Sequence, residues 1–187
     1  MIITTVNNIL AILTFGSQIF ILLGIIQLLF FRKNISNPVI SFFSRNGLFF
    51  ALIIAVAATA GSLFYSEIAG YEPCKLCWFQ RIFMYPLVIL IGLAFIKKDL
   101  KFVMYPSVLA GIGAAISLYH NYVYYGGISL FPCDPFDLET SCTKVLVMEF
   151  GYITIPLMAL TAFLLILLFL NAQREFNNLT KNTRTKS

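Results

Sequence analysis

Charge is what this sequence has least of. Of its 187 residues only 11% are Asp, Glu, Lys or Arg, against roughly 25% in soluble globular domains. With 59% hydrophobic residues and a mean hydropathy of +0.87, too little polar surface remains to cover the apolar bulk in water. A water-soluble fold is excluded, and the chain reads as an integral membrane protein. No internal repeat, Gly-rich phosphate loop, metalloprotease motif, haem motif or flavin motif is present. Lys and Arg are also missing before the first apolar stretch, Asn8 to Phe31. A secretory signal needs a basic leading region and an apolar core of about 7–15 residues. This stretch has 24 residues, so it is read as a membrane span in preference to a cleaved signal.

The few charges mark where the chain leaves the bilayer. Twenty-one uncharged residues separate Arg45 from Glu67, and 24 separate Glu149 from Arg174. Another 32 separate Lys101 from Asp134, and Leu76–Ile96 is broken only by Arg81. About 20 apolar residues cross the hydrocarbon core as a helix. The sequence therefore predicts five spans, at 8–31, 46–66, 76–96, 102–125 and 150–171. Five crossings put ten of thirteen basic residues on one side (Arg32, Lys33, Arg45, Lys97, Lys98, Lys101, Arg174, Lys181, Arg184 and Lys186). Lys and Arg favour the cytoplasmic side, so the C-terminus is expected there. The net charge of +5 then reflects topology, not nucleic-acid binding. Six of the eight acids, and all four cysteines, fall on the opposite, oxidising side.

Small residues punctuate the second and fourth spans, "AVAATAGS" at 55–62 and "AGIGAAIS" at 110–117. Four-residue spacing of small side chains lets helix backbones approach in lipid, and Ala57/Gly61 and Gly111/Ala115 have that spacing. Pro86, Pro106 and Pro156 lie in or near spans and are candidate kinks. The polar "NNLTKNTRTKS" ending reads as disordered.

The cysteines form two pairs. Cys74 and Cys77 make a Cys-x-x-Cys at the mouth of the third span, and Cys133 and Cys142 bracket "DPFDLETS" before the fifth. Three readings stand side by side: structural disulfides, a four-thiolate zinc site, and exchanging redox couples. A Cys-x-x-Cys bridge closes a very short loop and so is a poor staple, and the spacing of Cys133 and Cys142 is wide for zinc ligands. Redox work suits Cys77 on physical grounds. Pro73 is expected to open the third span, and a thiol at a helix N-terminus is stabilised as thiolate. Gln80 and Arg81, three and four residues on, share the face of Cys77. Arg81 lies about one turn into the span, where an unpaired cation is costly. Trp78 suits an interfacial anchor equally well as a functional role. His120, the sole histidine, is placed at a similar depth near the end of the fourth span and is a candidate proton carrier. Electrons taken from dithiols outside the cytoplasm need an acceptor, and a lipid-soluble quinone suits a Cys-x-x-Cys pressed against the membrane. Arg81 is then suited to hydrogen-bond a quinone carbonyl, and His120 to deliver protons.

"PCKLCWFQR" (73–81) followed by "IFMYPL" (82–87) resembles the signature of the DsbB family of membrane disulfide-formation proteins. "SLYHNY" (117–122) and "EFGYITIP" (149–156) are similar to its short BdbC-type branch from Gram-positive bacteria. Vitamin K epoxide reductases share the chemistry but carry their cysteine pairs in the opposite order. The resemblance implies an all-α fold, a four-helix transmembrane bundle, which the first span read from the sequence precedes as one extra N-terminal transmembrane helix. It divides the chain into that helix (1–37), the four-helix membrane domain (38–173) and a disordered basic cytoplasmic tail (174–187). It further implies a bacterial plasma-membrane enzyme that reoxidises a thioredoxin-fold thiol oxidase of the DsbA type, with menaquinone or ubiquinone as cofactor. Cys133 is the expected target of the partner's thiolate, Cys142 then attacks the inner pair at Cys74, and Cys77 meets quinone. Arg81, His120 and Gln80 are the expected quinone-side residues, with no metal. The loop pair encloses only eight residues, fewer than in Gram-negative members, and the extra helix has no counterpart in the family core. Two other functions remain, a non-catalytic membrane scaffold with stapled loops and a carrier passing reductant outward.

Overall fold

A computed structural model describes residues 2–30, 38–97, 100–127 and 147–184. Six α-helices follow one another: α1 (Ile2–Phe30), α2 (Pro38–Arg45), α3 (Gly47–Leu63), α4 (Lys75–Lys97), α5 (Met104–Tyr124) and α6 (Ile155–Arg184). No strand occurs among the described residues; an isolated bridge joins Glu149 to Ile153. The protein is all-α and membrane-embedded. Helices α3, α4, α5 and α6 form a ring in which each packs on the next and α6 returns to α3, while α1 and α2 lie against α6.

Burial explains the ring. Leu48, Ala51 and Ala55 of α3, Leu87 and Ile91 of α4, Ala110 of α5, and Phe163, Ile166 and Leu170 of α6 meet in one core. Large apolar side chains such as Ile53, Ile89 and Leu118 point outward, as lipid-facing positions do when the solvent is hydrocarbon. The small residues that pack are not the pairs their spacing suggested. Ala57 is exposed and Gly61 only half-buried, whereas Ala51 and Ala55 are fully buried. On α5 it is Gly113, not Gly111, that makes the close approach: a Cβ there would collide with the Phe163 ring, while nothing lies near Gly111.

Four helices, Ile2–Ile26, Gly47–Ile68, Lys75–Lys97 and Ile155–Asn177, are long and apolar enough to cross a membrane. The fourth span expected from the sequence, now α5, has the length but is not among them, because its buried face carries Ser117, His120 and Asn121. Among the described residues only Pro86 interrupts a helix interior. Pro106 and Pro156 fall in the first turns of α5 and α6, where a missing N–H leaves no bond unmade. Helix α6 runs to Arg184, through the stretch from residue 174 expected to be a disordered tail. No Gly or Pro follows Pro156, so nothing in the sequence stops the helix. Helix α2, eight residues long, sits in what read as a loop.

Beyond α3 the helix widens into a π-helical turn, Phe64–Ile68, with the Ala69 amide donating to the Phe64 carbonyl at 3.0 Å. Gly70, at φ +69, reverses the chain in the left-handed conformation that glycine adopts without a Cβ penalty. This turn delivers Tyr71, Glu72 and Pro73 to the mouth of α4.

Candidate functional site

Cys74 occupies the position just before the first turn of α4. Its carbonyl accepts the Trp78 amide at 3.0 Å, the first bond of the helix, and its Sγ accepts the Cys77 amide at 3.3 Å. That is the N-cap arrangement in which a Ser or Asp oxygen satisfies the third amide of a helix, here with sulfur as acceptor. Cys77 Sγ lies 2.8 Å from Cys74 Sγ. His120 Nε2 approaches Cys74 Sγ at 3.7 Å, and Gln80 Nε2 lies 3.2 Å from His120 Nδ1. With the Gln80 amide donating to Nδ1, the imidazole carries its proton on Nε2 and aims it at the sulfur. Cys74, His120 and Gln80 are all buried, Cys74 against Leu76 and Val123.

These donors act on Cys74. Its thiol is lowered to about 4, chiefly through the hydrogen bond from Cys77, with His120 adding to the effect and burial opposing it. The sequence placed the stabilised thiolate at Cys77; the structure gives the end of the helix to Cys74, because α4 begins at Lys75.

Cys77 faces elsewhere. It lines a cavity of about 360 Å³ together with Gln80, Arg81 and Met84 of α4, Tyr71 of the preceding loop, and residues of α1, α3 and α6. Arg81 reaches back to α3, its Nε donating to Ser62 Oγ at 2.9 Å and its Nη2 to the Ser62 carbonyl at 3.0 Å. The guanidinium also lies over the Trp78 ring, 5.4 Å from its centroid. Its charge is thus held by two acceptors and an aromatic face, which answers the cost of placing a cation inside a span. His120 is not among the cavity's lining residues; its place is behind Cys74. Ser62 carries no motif of its own in the sequence, and only the packing of α3 on α4 reveals it as the partner of Arg81.

The donor atoms of Cys74, Cys77 and His120 lie within 4.8 Å of one another, close enough to hold a metal ion. Two thiolates on one tetrahedral zinc, at about 2.3 Å each, stand ~3.7 Å apart, so the 2.8 Å approach of the sulfurs suits a dithiol poised for exchange better. Cys133 and Cys142 lie outside the described residues.

The family model for "Disulfide bond formation protein DsbB" matches residues 44–173. The chain belongs to the DsbB family. A "Probable disulfide formation protein" of Oceanobacillus iheyensis is 44% identical over 123 residues, which cover 66% of this chain and 85% of the relative. "Disulfide bond formation protein C" of Bacillus subtilis is 40% identical over 125 residues, 66% of this chain and 88% of its own. A relative from Metapseudomonas resinovorans, 35% identical, covers 72% of this chain and 93% of itself. No solved structure matches. As a DsbB-family protein the chain is a membrane oxidoreductase of disulfide-bond formation. Helix α1 ends before the family match begins.

Proposed function

We propose that this protein is a quinone-dependent thiol oxidase that reoxidises an extracytoplasmic thioredoxin-fold partner. The observation that carries the reading is the division of the pair, Cys77 on the wall of an apolar cavity with Gln80 and Arg81, and Cys74 behind it against His120. The cavity fits a quinone in kind. Its volume falls in the range of roughly 300–1,000 Å³ usual for small-molecule sites, and its walls are mostly apolar, with Cys77, Gln80 and Arg81 among the polar groups that line it. Quinone, when bound, accepts two electrons and two protons.

The partner's dithiol supplies those electrons. Its thiolate attacks Cys133 Sγ, breaking a Cys133–Cys142 bond, and its second thiol releases it as a disulfide. Cys142 then passes the pair on to the Cys74–Cys77 disulfide. A leaving thiolate departs faster the lower its pKa, so the stabilised Cys74 is the better leaving group, and attack at Cys77, the more exposed sulfur, competes with the attack at Cys74 implied by the family. When the pair closes again, the Cys74–Cys77 bond forms across the 2.8 Å between the sulfurs, His120 holding the Cys74 thiolate beforehand, and the two electrons and two protons released would go to the quinone. Arg81 orients and polarises a carbonyl in the cavity. The cysteine ends of α4 and α5 face the oxidising side, and Arg174 lies at the cytoplasmic end of α6.

The test supplies the purified protein with a reduced thioredoxin-fold dithiol protein and menaquinone or ubiquinone, and follows quinone reduction. Turnover that disappears in both Cys77→Ala and Cys133→Ala supports the relay. Absence of turnover in the wild type with either quinone returns the chain to the scaffold or reductant-carrier function.

A further inference from the structure

The geometry points to a role for α1: it forms one wall of the acceptor cavity and, with α3, frames a lateral slot that seats the apolar tail of the quinone. This rests on the quinone reading above and names the part of the molecule that reading leaves without work. Helix α1 packs on α6 but not on α3, so a gap runs between α1 and α3 with α6 as its floor. Leu10, Leu13 and Ser17 line it from α1, and Ile53, Ala57 and Gly61 from α3. The gap leads to Cys77, Gln80 and Arg81.

Both ends of the gap are held. At the far end Phe20 of α1 stacks on Phe169 of α6 at 5.5 Å and meets Phe43 of α2 edge-on at 5.4 Å. At the cysteine end the buried Tyr65 hydroxyl donates to Asn7 Oδ1 at 2.9 Å, tying α1 to the π-helical turn that follows α3. Between these ties the helices stand apart, and Ala57 and Gly61 leave the room that larger side chains would fill. A Cβ on Gly61 would meet only Leu10, at 3.8 Å. The small residues of α3 at this level therefore make space for a ligand, not for a neighbouring helix. A site polar at one end and a long apolar slot at the other suits a ring carrying a prenyl chain.

The experiment uses the full-length protein in phosphatidylcholine nanodiscs. Trp78 is the sole tryptophan and adjoins Cys77, so quenching of its fluorescence reports binding without turnover. The probes are a short-chain menaquinone and menadione, the same ring without the tail. Ser17→Phe fills the slot from α1, Leu10→Ala removes part of the wall, and Ile12→Ala changes an exposed α1 side chain outside the slot. The expected result is about tenfold weaker binding of the tailed quinone, some 1.4 kcal/mol, in Ser17→Phe. A smaller loss is expected in Leu10→Ala, with menadione little changed in either and Ile12→Ala like wild type. Should Ser17→Phe lower the thermal unfolding midpoint, Leu10→Ala alone decides. Wild-type affinity for the tailed quinone in the slot variants, with Arg81→Met still weakening both probes, overturns the role of α1 and leaves the quinone reading standing. Failure of the wild type to bind either probe overturns both.

Discussion

Cys74 and Cys77 are the same residue type three positions apart on one helix end, yet they live in different solvents. Cys74 is 6% exposed and receives every nearby donor: an amide, a thiol and an imidazole fixed by Gln80. Cys77 is half-buried and opens on a largely apolar cavity whose cation, Arg81, is tied to α3. The difference teaches that a Cys-x-x-Cys at a helix mouth can split the labour of exchange. One sulfur is favoured as thiolate, and the other opens on a cavity, where the proposed function places an acceptor.

The largest effect should come from removing the presented sulfur. Cys77→Ser is expected to abolish turnover, measured as quinone reduction, while leaving the protein folded by thermal unfolding. Next comes Arg81→Met, which removes charge-assisted hydrogen bonding worth about 2 kcal/mol and should weaken quinone binding roughly 30-fold. It should leave the ionisation of Cys74 unchanged; a shift there would break the proposed separation of roles. His120→Leu does the reverse. Loss of its hydrogen bond should raise the Cys74 pKa by about one unit or more, with quinone affinity little altered.

The pH dependence follows from the same contrast. Because the Cys74 thiol is lowered to about 4, its thiolate persists as pH falls and is lost only as pH nears that value. In the reduced Cys133→Ala/Cys142→Ala protein, the ultraviolet absorbance of the thiolate should disappear in one acidic step. A step at about 8.5, the ordinary thiol value, would show that the helix end and His120 do not act on this sulfur. Ser62→Ala should have the smallest effect. The Ser62 carbonyl still accepts from Arg81, so one hydrogen bond of about 1 kcal/mol, near fivefold in quinone affinity, is at stake.

Much of this was legible in the sequence because lipid simplifies the code. Uncharged runs mark helices, and Arg81, one turn inside a span, stands out by its cost. Gln80 and Arg81 were placed correctly on the face of Cys77 by helical spacing alone. What stayed hidden depended on a boundary or on rotation. Whether Cys74 or Cys77 caps α4 turns on where the helix starts, to within a residue or two. Spacing pairs Ala57 with Gly61 and Gly111 with Ala115 as readily as Gly113 with its true neighbours, and only packing chooses. The placement of His120 against Cys74, and not on the cavity, joins residues 46 apart, a contact no local pattern encodes. The Asn7–Tyr65 tie across 58 residues is hidden for the same reason.

The polar face of α5 has a consequence for how the protein is made. The helix that carries His120 is the one long helix of the ring not apolar enough to qualify as a span by itself. In the closed bundle α5 packs on α4 and α6, with Ser117, His120 and Asn121 buried. The two cysteine pairs are separated in sequence by α4 and α5, so they share one compartment only when α5 crosses. In the proposed relay, the helix that brings His120 to Cys74 is therefore also the one whose crossing decides whether the two cysteine pairs can meet.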